Sequence, residues 1–385
     1  MASERIKVKI KELGKVVGGA TPSTRNPENW GGSIPWLTPK DLANHRERFI
    51  KKGEKCISQK GYESCSTKML PKGTVLFSSR APIGYCAIAE NDICTNQGFK
   101  SIIPNENTDS LFLYYLLKSN VDAIANHASG TTFPEISGKA MEEIEVLIPE
   151  DKNEQKQIAR VLNVFDRKIE NNLKLNDYLT DLSSAIYNEF INRSSGKWGA
   201  LSDIVDLIKE PISSRTRPEL PYLPIDVIPM KRIGIEGFRP YEEAKSSLQL
   251  FKKDDIVIGA MRVYFHRVIL TPCKGMTRNT CFVLRPRNKN LREFALLSCF
   301  QNETIEFANL HSKGSTMPYA VWKGSFENCP VFIPNEHDLE VFSIRMSPLI
   351  DKIRDIYKEN SALINLRNGL LSQLLSGKID LSKFN

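Results

Sequence analysis

The apolar positions of this chain fall into two long seams. From about 154 to 191 there is no Pro or Gly, and selected positions recur alternately four and three apart: Ile158, Leu162, Phe165, Ile169, Asn172, Asn176, Leu179, Ser183, Ile186, Phe190. Adding 184 to each gives Phe342, Met346, Leu349, Ile353, Ile356, Asn360, Leu363, Arg367, Leu370, Leu374. Both series are mostly apolar heptad seams, so two long helices are predicted. A seam this narrow cannot bury itself alone, and the economical partner for each helix is the other. Antiparallel pairing brings Asn176 and Asn360 together near a pseudo-two-fold axis, flanked by Ile169, Ile353, Leu179 and Leu363. A buried Asn pair fixes register at some cost in stability. Helices of about 38 residues make a rod of roughly 57 Å at 1.5 Å per residue, with a globular unit expected at each end. Pro348 predicts a kink or a late helix start in the second seam.

The sequence outside the seams repeats itself at a similar offset. Val75-Leu76-Phe77 answers Ile256-Val257-Ile258, and Thr95-Asn96-Gln97 answers Thr277-Arg278-Asn279. Gly130-Thr131-Thr132-Phe133-Pro134 answers Gly314-Ser315-Thr316-Met317-Pro318, and Ile148-Pro149 answers Ile333-Pro334. Two copies of one unit form a pseudo-dimer, suited to a partner with two half-sites. Short apolar runs predict strands near 34–38, 74–77, 85–89, 99–103 and 145–148 in the first copy. Their counterparts fall near 256–258, 268–270, 281–284 and 331–333. Helices are predicted at 109–126, opened by Asp109, and at 291–309. The organisation expected is α+β. A globular unit spans 1–150, a spacer helix 151–193, a second unit 197–335 and a second spacer helix 336–376, with Ser194-Ser195-Gly196 as linker.

Composition adds little, but charge placement adds something. The net charge is +8. Residues 1–150 carry a net +2 and residues 197–335 a net +6, while both helical segments are neutral. A basic globular surface suits phosphate binding. The eight cysteines have no metal-like spacing and read as reduced thiols of a cytosolic protein. No signal peptide or membrane span is visible. Phosphate-loop, nucleophile-elbow and zinc-protease signatures are missing, as is the Asn-Pro-Pro-aromatic run of an amino-methyltransferase pocket. Adjacent carboxylates such as Asp254-Asp255 point to different faces of a strand or helix, which argues against a catalytic pair.

Polar residues near strand ends are the candidates for reading nucleic acid. Arg80 follows the strand at 74–77, and Arg262 stands at the equivalent place, with Arg267 close behind. Asn96-Gln97 and Arg278-Asn279 precede the next strand in each copy. Amides and guanidinium groups are what read adenine and guanine edges, although they also bond local backbone in turns. Arg215, Arg217, Lys231 and Arg232 form a second basic cluster. Thr38, Lys40, Asn26 and Trp36 make a weaker polar-aromatic group. The Gly130 and Gly314 loops read as turns packed on a helix start.

Together these residues resemble the specificity subunits of type I restriction-modification systems. The segment Val75-Leu76-Phe77-Ser78-Ser79-Arg80-Ala81-Pro82-Ile83-Gly84 looks like part of that family's target recognition domain. So does Gly130–Pro134 leading to Ile148-Pro149, and Asn153-Glu154-Gln155-Lys156-Gln157-Ile158-Ala159 looks like the start of its spacer helix. The resemblance implies two pseudo-symmetric α/β target recognition domains joined by an antiparallel coiled coil. It implies a non-catalytic subunit whose domains each read half of a bipartite site in double-stranded DNA. It also implies two modification subunits carrying S-adenosylmethionine, and restriction subunits using ATP and Mg, with no cofactor in this chain. Departures such as Arg278-Asn279-Thr280 for Asn96-Gln97-Gly98 imply different half-sites. A coiled-coil scaffold with two protein-binding lobes is the alternative.

Overall fold

A computed structural model describes residues 3–43, 45, 47–130, 134–213, 218–245 and 247–381. The chain forms two compact units. One runs to Glu170 and resumes at Ile364; the other is Asn171–Leu363. The boundary cuts both long helices in mid-course, so each lobe owns half of each helix, and the helices are not separate bodies.

In the first unit a five-stranded sheet has the order Gly14–Gly18, Lys100–Pro104, Val75–Phe77, Cys86–Ala89, Phe49–Ile50. A smaller sheet sets Trp30–Leu37 between Lys55–Ile57 and Cys94–Thr95, and Arg5–Lys9 pairs antiparallel with Glu145–Pro149. The helix Ser110–Ser119 buries Phe112 through Leu117 against Val75, Phe77, Ile88 and Ile102. The same core takes in Ile158 and Leu162 of the central helix and Leu371 and Leu374 of the C-terminal helix. Arg5 closes this end. Its guanidinium donates to Glu154 at 2.7 Å and to the carbonyls of Leu374 and Leu375 at 2.8 and 2.9 Å, so it satisfies acceptors that a helix C-terminus leaves open.

The second unit repeats the plan. Val205–Ile208, Cys281–Pro286, Ile256–Gly259 and Val268–Leu270 form a sheet in the same order as the first four strands above. A second four-stranded sheet runs Pro211–Ile212, Leu248–Phe251, Gly275–Arg278, Tyr222–Leu223, and Gly196–Ala200 pairs with Pro330–Pro334. The expected linker is therefore shorter, since Gly196 already belongs to a strand. Each lobe helix is also broken. Asn120 ends Ser110–Ser119 before Val121–Ala125, and Gln301 separates Arg292–Phe300 from Asn302–Leu310. Their side-chain amides bond the Leu116 and Leu297 carbonyls at 2.8 and 2.9 Å, satisfying groups the helix end exposes.

The central helix spans Lys152–Arg193 and the C-terminal helix Glu336–Leu375. The latter runs through exposed Pro348, so the late start expected there is absent. Within each unit the helix segments pair antiparallel. In the first, Asp166 meets Arg367, while Glu154 lies near Leu374 through Arg5. In the second, Phe190 stacks on Phe342 at 4.4 Å and Asn172 bonds Asn360 at 2.8 Å. Ile169 and Ile353 are buried, and Leu179 and Leu363 half-buried.

The asparagine pairing differs from the one expected. Asn360 takes Asn172 as its partner, not Asn176. The stagger that sets Phe190 against Phe342 brings Asn172 opposite Asn360, one turn before Asn176. Asn176 is 1% exposed, and among the described residues neither atom of its amide has a hydrogen-bond partner. An unsatisfied buried amide costs about 1–3 kcal/mol. Asn176→Leu is therefore expected to raise the second unit's stability by about 1–2 kcal/mol, whereas Asn172→Leu, which orphans Asn360, lowers it. Urea unfolding of both variants checks this, and a less stable Asn176→Leu contradicts it.

Candidate nucleic-acid interface

In the first lobe the chain leaves the strand Val75–Phe77 through Ser78 and Ser79 into an exposed Arg80. Arg80 is already engaged. Its Nε donates to Glu135 at 2.8 Å, and Lys100 reaches the other Glu135 oxygen at 3.3 Å. Partial burial pushes the Glu135 carboxyl up, but the bonds from Arg80 and Lys100 outweigh it and hold the group below the usual carboxylate range. Asn96 builds a turn by accepting from the Gly98 N–H at 2.9 Å. Exposed Gln97 accepts from the Thr21 hydroxyl at 2.6 Å. Thr38 opens the short helix Pro39–Ala43, its N–H and hydroxyl both donating to Asp41 at 2.7 Å. Lys40 is exposed beside Glu54 at 3.3 Å. Trp36 is buried and donates to the Ala20 carbonyl at 3.0 Å, and Asn26 caps the turn Pro27–Asn29.

The second lobe presents its cations differently. Arg262, in left-handed backbone at φ 50°, anchors through its own N–H to the Pro318 carbonyl at 2.7 Å. Lys231, also left-handed, donates its N–H to the His266 carbonyl at 2.8 Å. Arg278 and Asn279 lie exposed where the strand Gly275–Arg278 ends. Among the described residues no ion pair engages the side chains of Arg262, Lys231 or Arg278.

Two of the candidate cations, Arg267 behind Arg262 and Arg232 of the second basic cluster, are engaged internally instead. Arg267 donates to the carbonyls of Ile225, at 2.6 Å, and Ile228, and its guanidinium sits 5.6 Å from the Phe265 ring centre. Burial lowers its pKa. Arg232 makes a two-pronged pair with Asp177 of the central helix at 2.7 and 2.8 Å, a brace rather than a reader. Arg215 and Arg217 lie outside the described residues, as do Thr131, Thr132 and Phe133 of the Gly130 loop.

The described residues of the Gly130 and Gly314 loops meet neighbouring loops. They ladder onto the Arg loops: Arg80 and Ser129 both bridge Glu135, and Met261 and Lys313 both bridge Tyr319. This brings Tyr264, Met317 and Tyr319, 46%, 48% and 48% exposed, to the surface around Arg262. Sequence periodicity assigns no such residues to a surface, because these loops have no period. Burial raises the thiols of Cys86 to about 12 and Cys281 to about 11, so neither is a ready nucleophile. Among the described residues no helix is long and apolar enough to cross a membrane.

The family model for the type I restriction modification DNA specificity domain matches residues 3–180. The type I restriction enzyme MjaIX specificity subunit of Methanocaldococcus jannaschii is 32% identical over 402 aligned positions, covering 96% of this chain and 92% of the relative. The chain belongs to the family of type I restriction enzyme specificity subunits. The EcoR124I/EcoR124II specificity subunit of Escherichia coli is 30% identical over 191 residues, about half of each chain. A solved relative shares the fold: the S subunit of a type I restriction-modification system from M. genitalium superposes with a TM-score of 0.55 at 20% identity, covering 97% of this chain and 96% of that one. The family model stops at 180, so the second lobe's membership rests on the full-length relative and on the repeated strand order.

Proposed function

We propose that this chain is the non-catalytic, sequence-reading subunit of a type I restriction-modification complex, acting in the cytoplasm. Each lobe reads one half of a bipartite site in double-stranded DNA, and the paired helices set the gap. Two modification subunits dock on the chain and supply S-adenosylmethionine, and restriction subunits supply the ATP- and Mg-dependent steps. The observation that carries this reading is the match to a specificity subunit along nearly the whole chain. The second-lobe cations Arg262, Lys231 and Arg278, in no ion pair among the described residues, agree with it, as does that lobe's net +6. Arg80, Gln97, Lys40, Arg262, Arg278, Asn279 and Lys231 are the proposed DNA-facing groups, with Asn96 and Thr38 shaping the loops that carry them. Filter binding with the modification subunits present tests this. Sequence-selective retention of duplex is expected, with affinity falling steeply as salt rises. Assembly without any sequence preference would favour a protein-binding scaffold.

A further inference from the structure

The duplication lets the two Arg loops be compared place by place. At an offset of 184, Ser129 and Glu135 correspond to Lys313 and Tyr319, and both pairs form the same backbone bridge. At 182, Gly84 and His266 correspond, and both are left-handed, with φ 99° and 52°. The frames match but the chemistry differs. In the first lobe the bridged residue is Glu135, whose one carboxylate is shared between Arg80 and Lys100. In the second it is Tyr319, which carries no charge and bridges Met261, the residue before Arg262, and among the described residues no acid pairs with Arg262.

The surroundings strengthen the contrast. Tyr264, Met317 and Tyr319 stand about half exposed on two laddered loops. Lys231, Arg262 and Lys313 flank them, and among the described residues none of the three is in an ion pair. Three of the left-handed non-glycine residues, Lys231, Arg262 and His266, hold these loops. Non-glycine residues in that region cost backbone energy and cluster where a loop must keep one shape for a ligand. A ligand that satisfies flat apolar faces and free cations together is a nucleic acid, with base faces among phosphates. In an intact duplex the faces are hidden, so a tyrosine reaches one only by opening a base step. Pyrimidine–purine steps open most easily.

We infer that the second lobe wedges Tyr264 and Tyr319 into a flexible base step of its half-site, with Arg262, Lys231 and Lys313 holding the flanking phosphates. The first lobe, with Glu135 in the equivalent place, leaves its half stacked. This rests on the DNA-reading role proposed above and assigns a distortion to one half-site.

The test uses the full-length chain with its modification subunits. A duplex is selected from a random pool, and 2-aminopurine is placed in turn at each purine. Binding is expected to raise fluorescence severalfold at one step of one half-site. Tyr264→Ala and Tyr319→Ala should each abolish the rise and weaken binding on the order of tenfold, and Tyr319→Phe should keep both. Because these side chains are exposed, thermal unfolding midpoints should not move. A tightly bound, selected duplex with flat fluorescence throughout overturns the wedge and leaves half-site reading standing. So does a rise that survives both alanine variants. Failure to select any sequence overturns both readings.

Discussion

Arg48→Met is expected to destabilise the first lobe by about 3–5 kcal/mol, a large cost for one substitution. Arg48 is 3% exposed and joins the lobe to the central helix. Its Nε and Nη2 donate to the two oxygens of Glu170 at 2.8 and 2.9 Å, and its backbone N–H adds a bond to Glu170 at 3.0 Å. Its Nη1 donates to Asn163. Tyr115 sits behind it and donates to Asp166 at 2.6 Å, and Arg367 of the C-terminal helix pairs with the same carboxylate. Burial works against the Arg48 charge, but Glu170 and its neighbours outweigh it, so the pKa is raised. Methionine fills the volume without a charge, which leaves the mostly buried Glu170 carboxylate the Arg48 backbone N–H but not its guanidinium. The double variant Arg48→Met/Glu170→Gln should recover part of the loss, as expected of groups in one network. Urea unfolding in a Trp198→Phe/Trp322→Phe background, followed through Trp30 and Trp36, reads the lobe directly. A cost below about 1 kcal/mol would mean that the network contributes little net stability.

None of this network was legible in the sequence, and the reason is physical. The partners Arg48 and Glu170 lie 122 positions apart, and Arg367 and Asp166 lie 201 apart. Periodicity reports which face of a helix is apolar, not what crosses to it. The seams were legible because a heptad pattern repeats many times, so Ile158, Leu162, Ile169, Ile353 and Met346 declare themselves. Their stagger was not, because every heptad position looks alike, and Asn360 therefore found Asn172 rather than Asn176. Strands with continuous apolar runs, such as Ile256–Gly259, were visible. Phe49–Ile50, two residues long, carried no pattern to find, whereas Arg5–Lys9 alternates polar and apolar residues over only five positions, a signal that its charge outweighed.

The candidate surface divides in the same way. Arg positions at strand ends could be read from the duplication, but their partners could not. Glu135 comes to Arg80 from 55 positions away, and Ile225 to Arg267 from 42. A charge count treats Arg80, Arg262 and Arg267 as equals. Among the described residues geometry makes one an ion pair, leaves one without an acid and makes one an internal brace. Which cations remain to meet a polyanion is thus a tertiary property, built from loops that the sequence shows only as glycine and proline punctuation.

That difference carries the second large expectation. Arg262→Glu combined with Arg278→Glu should weaken duplex binding on the order of 100- to 1,000-fold at moderate salt. Each reversal removes a cation that no acid among the described residues pairs with, and sets an anion against the phosphates. Arg80→Glu should weaken it only several-fold, because Glu135, shared with Lys100, already offsets part of the Arg80 charge in the free protein. The slope of log affinity against log salt should fall by about 2 in the double variant and by less than about 1 in Arg80→Glu. Backbone strain does not confound the comparison at Arg262, since arginine and glutamate bear the same φ of 50° there with similar difficulty. Filter binding across a salt series, with assembly checked by gel filtration, gives both numbers. A loss in Arg80→Glu as large as that in the double variant would mean that the Glu135 pair opens freely on binding, and that the asymmetry between the lobes has no bearing on how they hold DNA.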